Sequence, residues 1–132
     1  MIDVSNEIFN AVAKDLRSAY EGTRVVGEYV ASPTTFPTVT IDETGNVPIH
    51  LDSATSNKYA RVTYRVQVFS NEKSGKRRQA RDIFNLLDDV LQSMGFVGAT
   101  YTTTPAIYNS EVYCITATYE GVVDRNGTIY RG

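Results

Sequence analysis

The stretch that decides the fold is "KRRQARDIFNLLDDVLQSMGF", Lys76 to Phe96. Its apolar side chains recur every three or four residues, which predicts an amphipathic helix from about Lys76 to Met94. Gly95 is well placed as the left-handed residue that closes the helix, with Phe96 folding back on Leu91 as in a Schellman ending. A helix with one apolar stripe must bury it, so the flanking segments are expected to supply a sheet.

The charges of this helix run against its dipole at both ends. A helix N-terminus carries partial positive charge and favours acidic residues, whereas the C-terminus favours basic ones. Here the end is acidic, with Asp88 and Asp89, and the start is basic. The basic residues at the start are Lys73, Lys76, Arg77, Arg78 and Arg81.

Three interpretations of the basic cluster compete. The first is a solvated helix start that aids solubility, which is what most charge runs are. The second is an anion site at a helix N-terminus. The third is contact with an acidic protein surface. Specific nucleic-acid binding is disfavoured, because the net charge is -2 and no aromatic residues are interleaved with the basic ones.

The segment before this helix, "YARVTYRVQVF" from Tyr59 to Phe69, predicts a half-buried strand. Apolar residues alternate with polar ones, so one face is buried and the other is wet or faces a partner. The polar face carries Arg61, Thr63, Arg65 and Gln67.

Further out, the chain offers one more helix and several strands. Together they predict an α+β fold, a single domain over residues 1–132, with a mostly antiparallel sheet and two main helices packed on one face. The other predicted elements are a helix Asn6–Tyr20 and strands Arg24–Ala31, Phe36–Glu43, Val97–Tyr108, Val112–Val123 and Thr128–Tyr130. Thr44 to Lys58 has Gly, Pro and Asn but little periodicity, and is predicted to be a long surface loop.

Composition restricts the class of protein. Hydrophobic content of 42% and charged content of 21% are those of an ordinary globular domain. The N-terminus lacks the pattern of a signal peptide, no stretch has the length of a membrane span, and Cys114 is the single cysteine. We therefore expect a protein made in the cytoplasm, with no membrane partner.

No set of residues in the sequence predicts catalysis, a metal site or a cofactor. His50 is the only histidine, and it falls in the predicted loop. Cys114 lies in a predicted strand without an acid or base beside it, so a packing role is the better interpretation. Asp88 and Asp89 are adjacent on a helix and point in different directions. The sequence therefore predicts no enzyme.

Two runs resemble a known family more closely than any motif does. They are "YRVQVFSNEKSGKRRQARDIFNLLDDVLQSMGF" and "YNSEVYCITATYEGVVDRNGTIYR". The first run has a strand, a polar loop and an amphipathic helix with a "GF" stop, and the second has Thr- and Tyr-rich strands. Together they resemble the tail terminator proteins of long-tailed phages, also called tail-completion or minor capsid proteins. The resemblance covers most of the chain.

The resemblance implies a structural role in the virion, at the neck end of the tail. Such proteins form a ring, commonly a hexamer, that caps the head-proximal end of the tail tube and meets the head connector. DNA would pass through the ring without specific contacts. The resemblance suggests that the basic helix start meets an acidic patch on the next subunit or the tube protein. The candidate interface residues are Lys73, Lys76, Arg77, Arg78 and Arg81, with Asp88, Asp89, Asp42 and Glu43 as acidic counterparts.

Two alternatives stay open from the sequence. One is another head-tail joining protein of the neck, which would differ only in what it binds. The other is a small cytoplasmic module that binds an anion or ligand at the basic helix start.

Overall fold

The computed structural model describes residues 3–28, 33, 35–49, 59–105, 112–124 and 129–130. The elements are α1 (Ser5–Ala19), β1 (Arg24–Val26), β2 (Thr38–Ile49), β3 (Tyr59–Ser70), α2 (Lys76–Met94), β4 (Val97–Pro105), β5 (Tyr113–Asp124) and β6 (Ile129–Tyr130). The strands form one sheet in the order β1-β2-β3-β5-β4, with β6 also paired to β5. All pairings are antiparallel except that of β1 with β2. The predicted α+β fold with a mostly antiparallel sheet is confirmed.

Both helices pack on the same face of the sheet and against each other. The alternation of β3 and the helical spacing of α1 and α2 place their apolar side chains in one core, because each pattern matches the period of its element. Burying one such side chain is worth roughly 1.5–3 kcal/mol. The fully buried members include Ile8, Val12 and Leu16 of α1, Val62, Val66 and Val68 of β3, and Ile83 and Leu87 of α2.

The two ends of α2 are fixed by local hydrogen bonds. At the start, the buried Ser70 hydroxyl at the end of β3 donates to Gln79 Oε1 at 2.5 Å. At the end, Gly95 is left-handed with φ 109°, and Phe96 N–H donates to the Leu91 carbonyl at 3.1 Å. This ending is the predicted Schellman arrangement, and the predicted bounds of the helix are confirmed.

The opposite face of the sheet, which we call the open face, carries no helix in the described part of the chain. It holds the polar residues of β3, with Asp42 of β2 beside Arg65 and Thr118 of β5 on the other side. At one end of this face, Phe69, Val112 and Cys114 form a small separate apolar cluster. The packing role predicted for Cys114 is confirmed.

The predicted surface loop from Thr44 to Lys58 is wrong over residues 44–49. These residues continue β2 and pair with β3, from Gly45 opposite Thr63 to Ile49 opposite Tyr59. Their Gly, Asn and Pro composition is typical of a loop in isolation, but backbone pairing with a long regular strand overrides it. Residues 50–58, including His50, lie outside the described residues.

The predicted strand Arg24–Ala31 is confirmed only as far as Val26. β1 pairs in parallel with the first three residues of β2, Thr38–Thr40. Residues 27 and 28 bend away from the strand direction, and residues 29–31 lie outside the described part.

Candidate contact surface

The basic cluster begins at Lys73, which is exposed in the turn before α2, and continues along the N-terminal half of the helix. Arg77, Arg78 and Arg81 are exposed. Together with Gly75, Asp82 and Asn85 they line a shallow concavity of about 450 Å³. Among the described residues, none of the three guanidinium groups has an ion-pair partner. These positive charges are therefore available to another molecule.

The placement of charge against the α2 dipole is confirmed by the structure. The first turn contains no acidic residue, the last turn contains no basic residue, and Gly75 at the N-cap supplies no side-chain acceptor. The helix is about 28 Å long for its 19 residues. Its basic and acidic ends are thus well separated, and each end has the same sign as the adjacent pole of the dipole.

Asp88 is partly buried, and its carboxylate is already hydrogen-bonded within the fold. Its carboxylate accepts a hydrogen bond from the Tyr119 hydroxyl at 2.5 Å and one from Gln92 Nε2 at 2.7 Å. Tyr119 is buried in the core. Burial first, and then the Asp88 hydrogen bond and charge, raise the pKa of Tyr119. Asp88 therefore ties α2 to β5 by satisfying a buried phenol.

Asp89, the next residue, is exposed and forms no hydrogen bond or ion pair with any described residue. It differs in this respect from Asp88, the other acidic candidate on α2.

Asp42 and Glu43 are successive on β2 and point to opposite faces of the sheet. Asp42 forms an ion pair with Arg65 on the open face, through bonds of 3.2 Å and 2.7 Å to Nε and Nη2. Glu43 accepts a hydrogen bond from the buried Tyr64 hydroxyl at 2.9 Å. Burial and then Glu43 raise the pKa of Tyr64. Both carboxylates have internal roles.

A small cavity of about 220 Å³ lies beside Glu43 and Tyr64, under the first turn of α1. Ser5, Asn6 and Phe9 of that helix form one wall. Among the described residues, Glu43 is the only charged group that lines it. The described lining therefore contains no converging charges that would select a ligand.

The structure therefore does not gather the predicted site residues at one place. The arginines lie at the N-terminal half of α2. Asp42 and Glu43 lie on β2, opposite Arg65 and Tyr64 in the middle of β3. Sequence reasoning missed the phenol–carboxylate pairs. The signal was present in the pattern, since a tyrosine on the buried face of a strand needs a partner for its hydroxyl.

Cys114, the single cysteine, is buried in β5. Burial raises the pKa of the Cys114 thiol, which disfavours the nucleophilic thiolate. No group of three or more potential metal ligands occurs among the described residues. Within the same residues, no helix is both long and apolar enough to cross a membrane.

The fold is a small α+β domain with a charged helix on one side of the sheet and an open polar face on the other. The chain belongs to the tail completion protein gp17 family, whose model matches residues 7–126. The resemblance to phage tail-completion proteins is thereby confirmed. Among solved structures, the chain is similar to the bacteriophage SPP1 gp17 protein, with 18% identity, a TM-score of 0.40, and coverage of 87% of this chain and 90% of that one. No curated protein sequence matches it.

Proposed function

We propose that this protein is a non-enzymatic component of a phage virion that caps the head-proximal end of the tail tube. It forms a ring, a hexamer in our proposal, which ends tube polymerisation and presents a surface to the head connector. The observation that carries the proposal is membership of the tail-completion family over residues 7–126.

The charge distribution supports docking between unlike surfaces. In a ring, each subunit contacts its neighbours through two different patches, so one patch must complement the other. Arg77 and Arg78 give one patch an uncompensated positive charge at the pole of α2 that is already positive. An acidic patch on the next subunit or on the tube protein would satisfy both the charges and the dipole. Repulsion between like charges would disfavour incorrect arrangements of the subunits.

Electron microscopy of the protein mixed with tail-tube subunits tests the capping role. We expect tubes of limited length with a ring at one end. Tubes that grow without limit, with the protein unattached, would contradict the proposal. Binding to the connector but not to the tube would indicate a different neck component.

A triple variant tests the role of the basic helix start. Lys76→Ser, Arg77→Ser and Arg78→Ser together should reduce capping while the thermal midpoint changes little. Arg77 and Arg78 are exposed and Lys76 is half-buried, and such surface charges contribute roughly 0–1 kcal/mol each to stability. The matched control is Lys14→Ser, Arg17→Ser and Arg24→Ser, which removes the same charge from exposed positions on and near α1. Equal capping by both variants would show that α2 is not the contact.

A further inference from the structure

We infer that two copies of the free protein pair through the exposed faces of α2, antiparallel, around a two-fold axis at Asn85. In this arrangement Arg81 of each copy lies opposite Asp89 of the other. The inference concerns the unassembled protein, and it does not rest on the proposed ring.

The surface that makes this contact is a stripe along α2 on the side opposite the core. Its residues are spaced three or four apart, so they lie on one side of the helix. They are exposed, and within the described part of the chain no strand or helix covers them. The stripe consists of Arg78, Arg81, Asp82, Asn85, Asp89 and Gln92.

Charge complementarity selects a second copy as the occupant. The stripe has a net positive charge in its N-terminal half, where Arg78 and Arg81 outnumber Asp82, and a negative charge in its C-terminal half, at Asp89. Each half has the sign of the nearer pole of the helix dipole, so side chains and backbone reinforce each other. An antiparallel copy places the basic half of each helix against the acidic half of the other. A parallel copy would bring like charges together.

The spacing of the residues fixes the register. Asn85 is four residues from Arg81 and four from Asp89, so an axis at Asn85 forms the Arg81–Asp89 contact twice. The same axis places Asp82 opposite Asp88. The Asp88 carboxylate is turned to the Tyr119 hydroxyl and to Gln92, which limits repulsion there.

The contact is electrostatic and therefore weak and sensitive to salt. The stripe contains no apolar side chain. Exposed ion pairs contribute little individually, and their attraction is screened over about 10 Å at 0.1 M salt. We expect dimers at low ionic strength and monomers at high ionic strength.

Sedimentation equilibrium with charge-reversed variants tests the pairing. Arg81→Glu alone and Asp89→Lys alone should each weaken dimerisation about tenfold or more, since both contacts become repulsive in each homodimer. An equimolar mixture of the two variants should dimerise as the wild type does, because the heterodimer has two opposite-charge contacts. A mixture that stays monomeric would overturn the inference.

Cross-linking tests the two-fold axis itself. In an Asn85→Cys variant the two introduced thiols face each other, and packed helices bring such positions within the Cα separation of about 4.4–6.8 Å that a disulfide needs. Lys14→Cys, exposed on α1, is the matched control, and the native Cys114 is buried in both. Rapid oxidative dimerisation of the Asn85→Cys variant alone supports the axis. Equal rates for the two variants would refute it.

The outcomes separate this inference from the proposed ring. If the mixture of the Arg81→Glu and Asp89→Lys variants forms hexamers, and Asn85→Cys does not cross-link preferentially, the two-fold pair is refuted and the proposed ring is not. If the protein dimerises at low salt but does not cap tail tubes, the proposed capping role is refuted and the two-fold pair is supported.

Discussion

The ring of Phe96 lies directly against the backbone of Gly121. A Cβ added to Gly121 would stand 2.7 Å from both Cδ1 and Cε1 of that ring. Phe96 is also edge-on to Tyr64, with ring centroids 5.8 Å apart and an interplanar angle of 83°. Because Phe96 follows the end of α2 directly, this contact fixes the chain between α2 and β4 onto the middle of the sheet.

Gly121→Ala should therefore destabilise the protein by about 1–3 kcal/mol, because the added methyl overpacks a closed site. Urea unfolding followed by circular dichroism measures the change. The control is Gly27→Ala, whose Cβ would meet its nearest neighbour, Phe9 Cδ2, at an ordinary 3.6 Å. If the two variants have the same unfolding midpoint, the Phe96 ring can move away and the close contact is not important for stability.

Adjacent aspartates on α2 should respond differently to truncation. Asp88→Ala should cost about 1–3 kcal/mol, because it leaves the buried Tyr119 hydroxyl without its acceptor. Asp89→Ala, at an exposed position, should change stability by less than about 0.5 kcal/mol. Adding Tyr119→Phe to Asp88→Ala should recover part of the loss, since no polar group is then left unpaired. Equal effects of the two aspartate variants would argue against the Tyr119 contact.

Alkaline conditions should unfold the protein through its two buried tyrosines. Burial and their carboxylate partners raise the pKa of Tyr64 and Tyr119 in the folded state above the ordinary value of 10.0. Above pH 10 the unfolded chain loses these two protons while the folded chain keeps them. The free energy of unfolding should then fall by about 2.7 kcal/mol per pH unit, or about 1.4 for each phenol.

Urea midpoints measured between about pH 9 and 11.5 check this slope, because the unfolded phenols titrate in that range. Tyr119→Phe should remove about half of it. A slope that is unchanged in this variant would show that the phenol of Tyr119 titrates normally in the folded protein.

The ion pair of Asp42 with Arg65 should contribute little to stability despite its two hydrogen bonds. The two side chains are 17% and 33% exposed, so water and salt screen the attraction. A double-mutant cycle with Asp42→Asn and Arg65→Gln should give a coupling of about 0.2–1 kcal/mol. The coupling should be lower still at 1 M salt. A coupling energy several times larger would mean that solvent screens this ion pair less than the exposed fractions of its two side chains indicate.

The helices and strands that were predicted correctly are those in which apolar residues recur with a single regular spacing. α2 and β3 have unbroken helical or alternating spacing, and a Gly–Phe ending closes the helix, so their bounds follow from local rules. The core face of β5 was predicted for the same reason, since Ile115, Ala117 and Tyr119 alternate with polar residues and are buried.

The second half of β2 could not be predicted, because its structure depends on a partner strand distant in sequence. The register shifts between Glu43 and Gly45, which breaks the alternation that marks a strand. Pro48 also suggests a loop, yet it is tolerated because no strand in the described part of the chain pairs with the other side of β2 there.

The candidate site was predicted only in part, for a similar reason. Clusters of like charge are visible in a sequence, so the arginines of α2 were found. Whether a carboxylate is free or already bonded depends on residues far along the chain. Tyr119 lies 31 positions from Asp88, and Arg65 lies 23 positions from Asp42. Only the folded chain shows that, of the four candidate acids, Asp89 is the one that forms no hydrogen bond or ion pair with a described residue.

Because Asp88 and Asp89 have different contacts, mutations at the two positions should have different classes of suppressor mutation. A lesion at Asp88 harms the interior of its own chain, so compensating changes should arise within the same gene, close to Tyr119. A lesion at Asp89 leaves the subunit sound, and its suppressors should include changes on whichever surface that carboxylate meets. Suppressors of mutations at these two adjacent codons would therefore separate effects on folding of the subunit from effects on its contacts with other molecules.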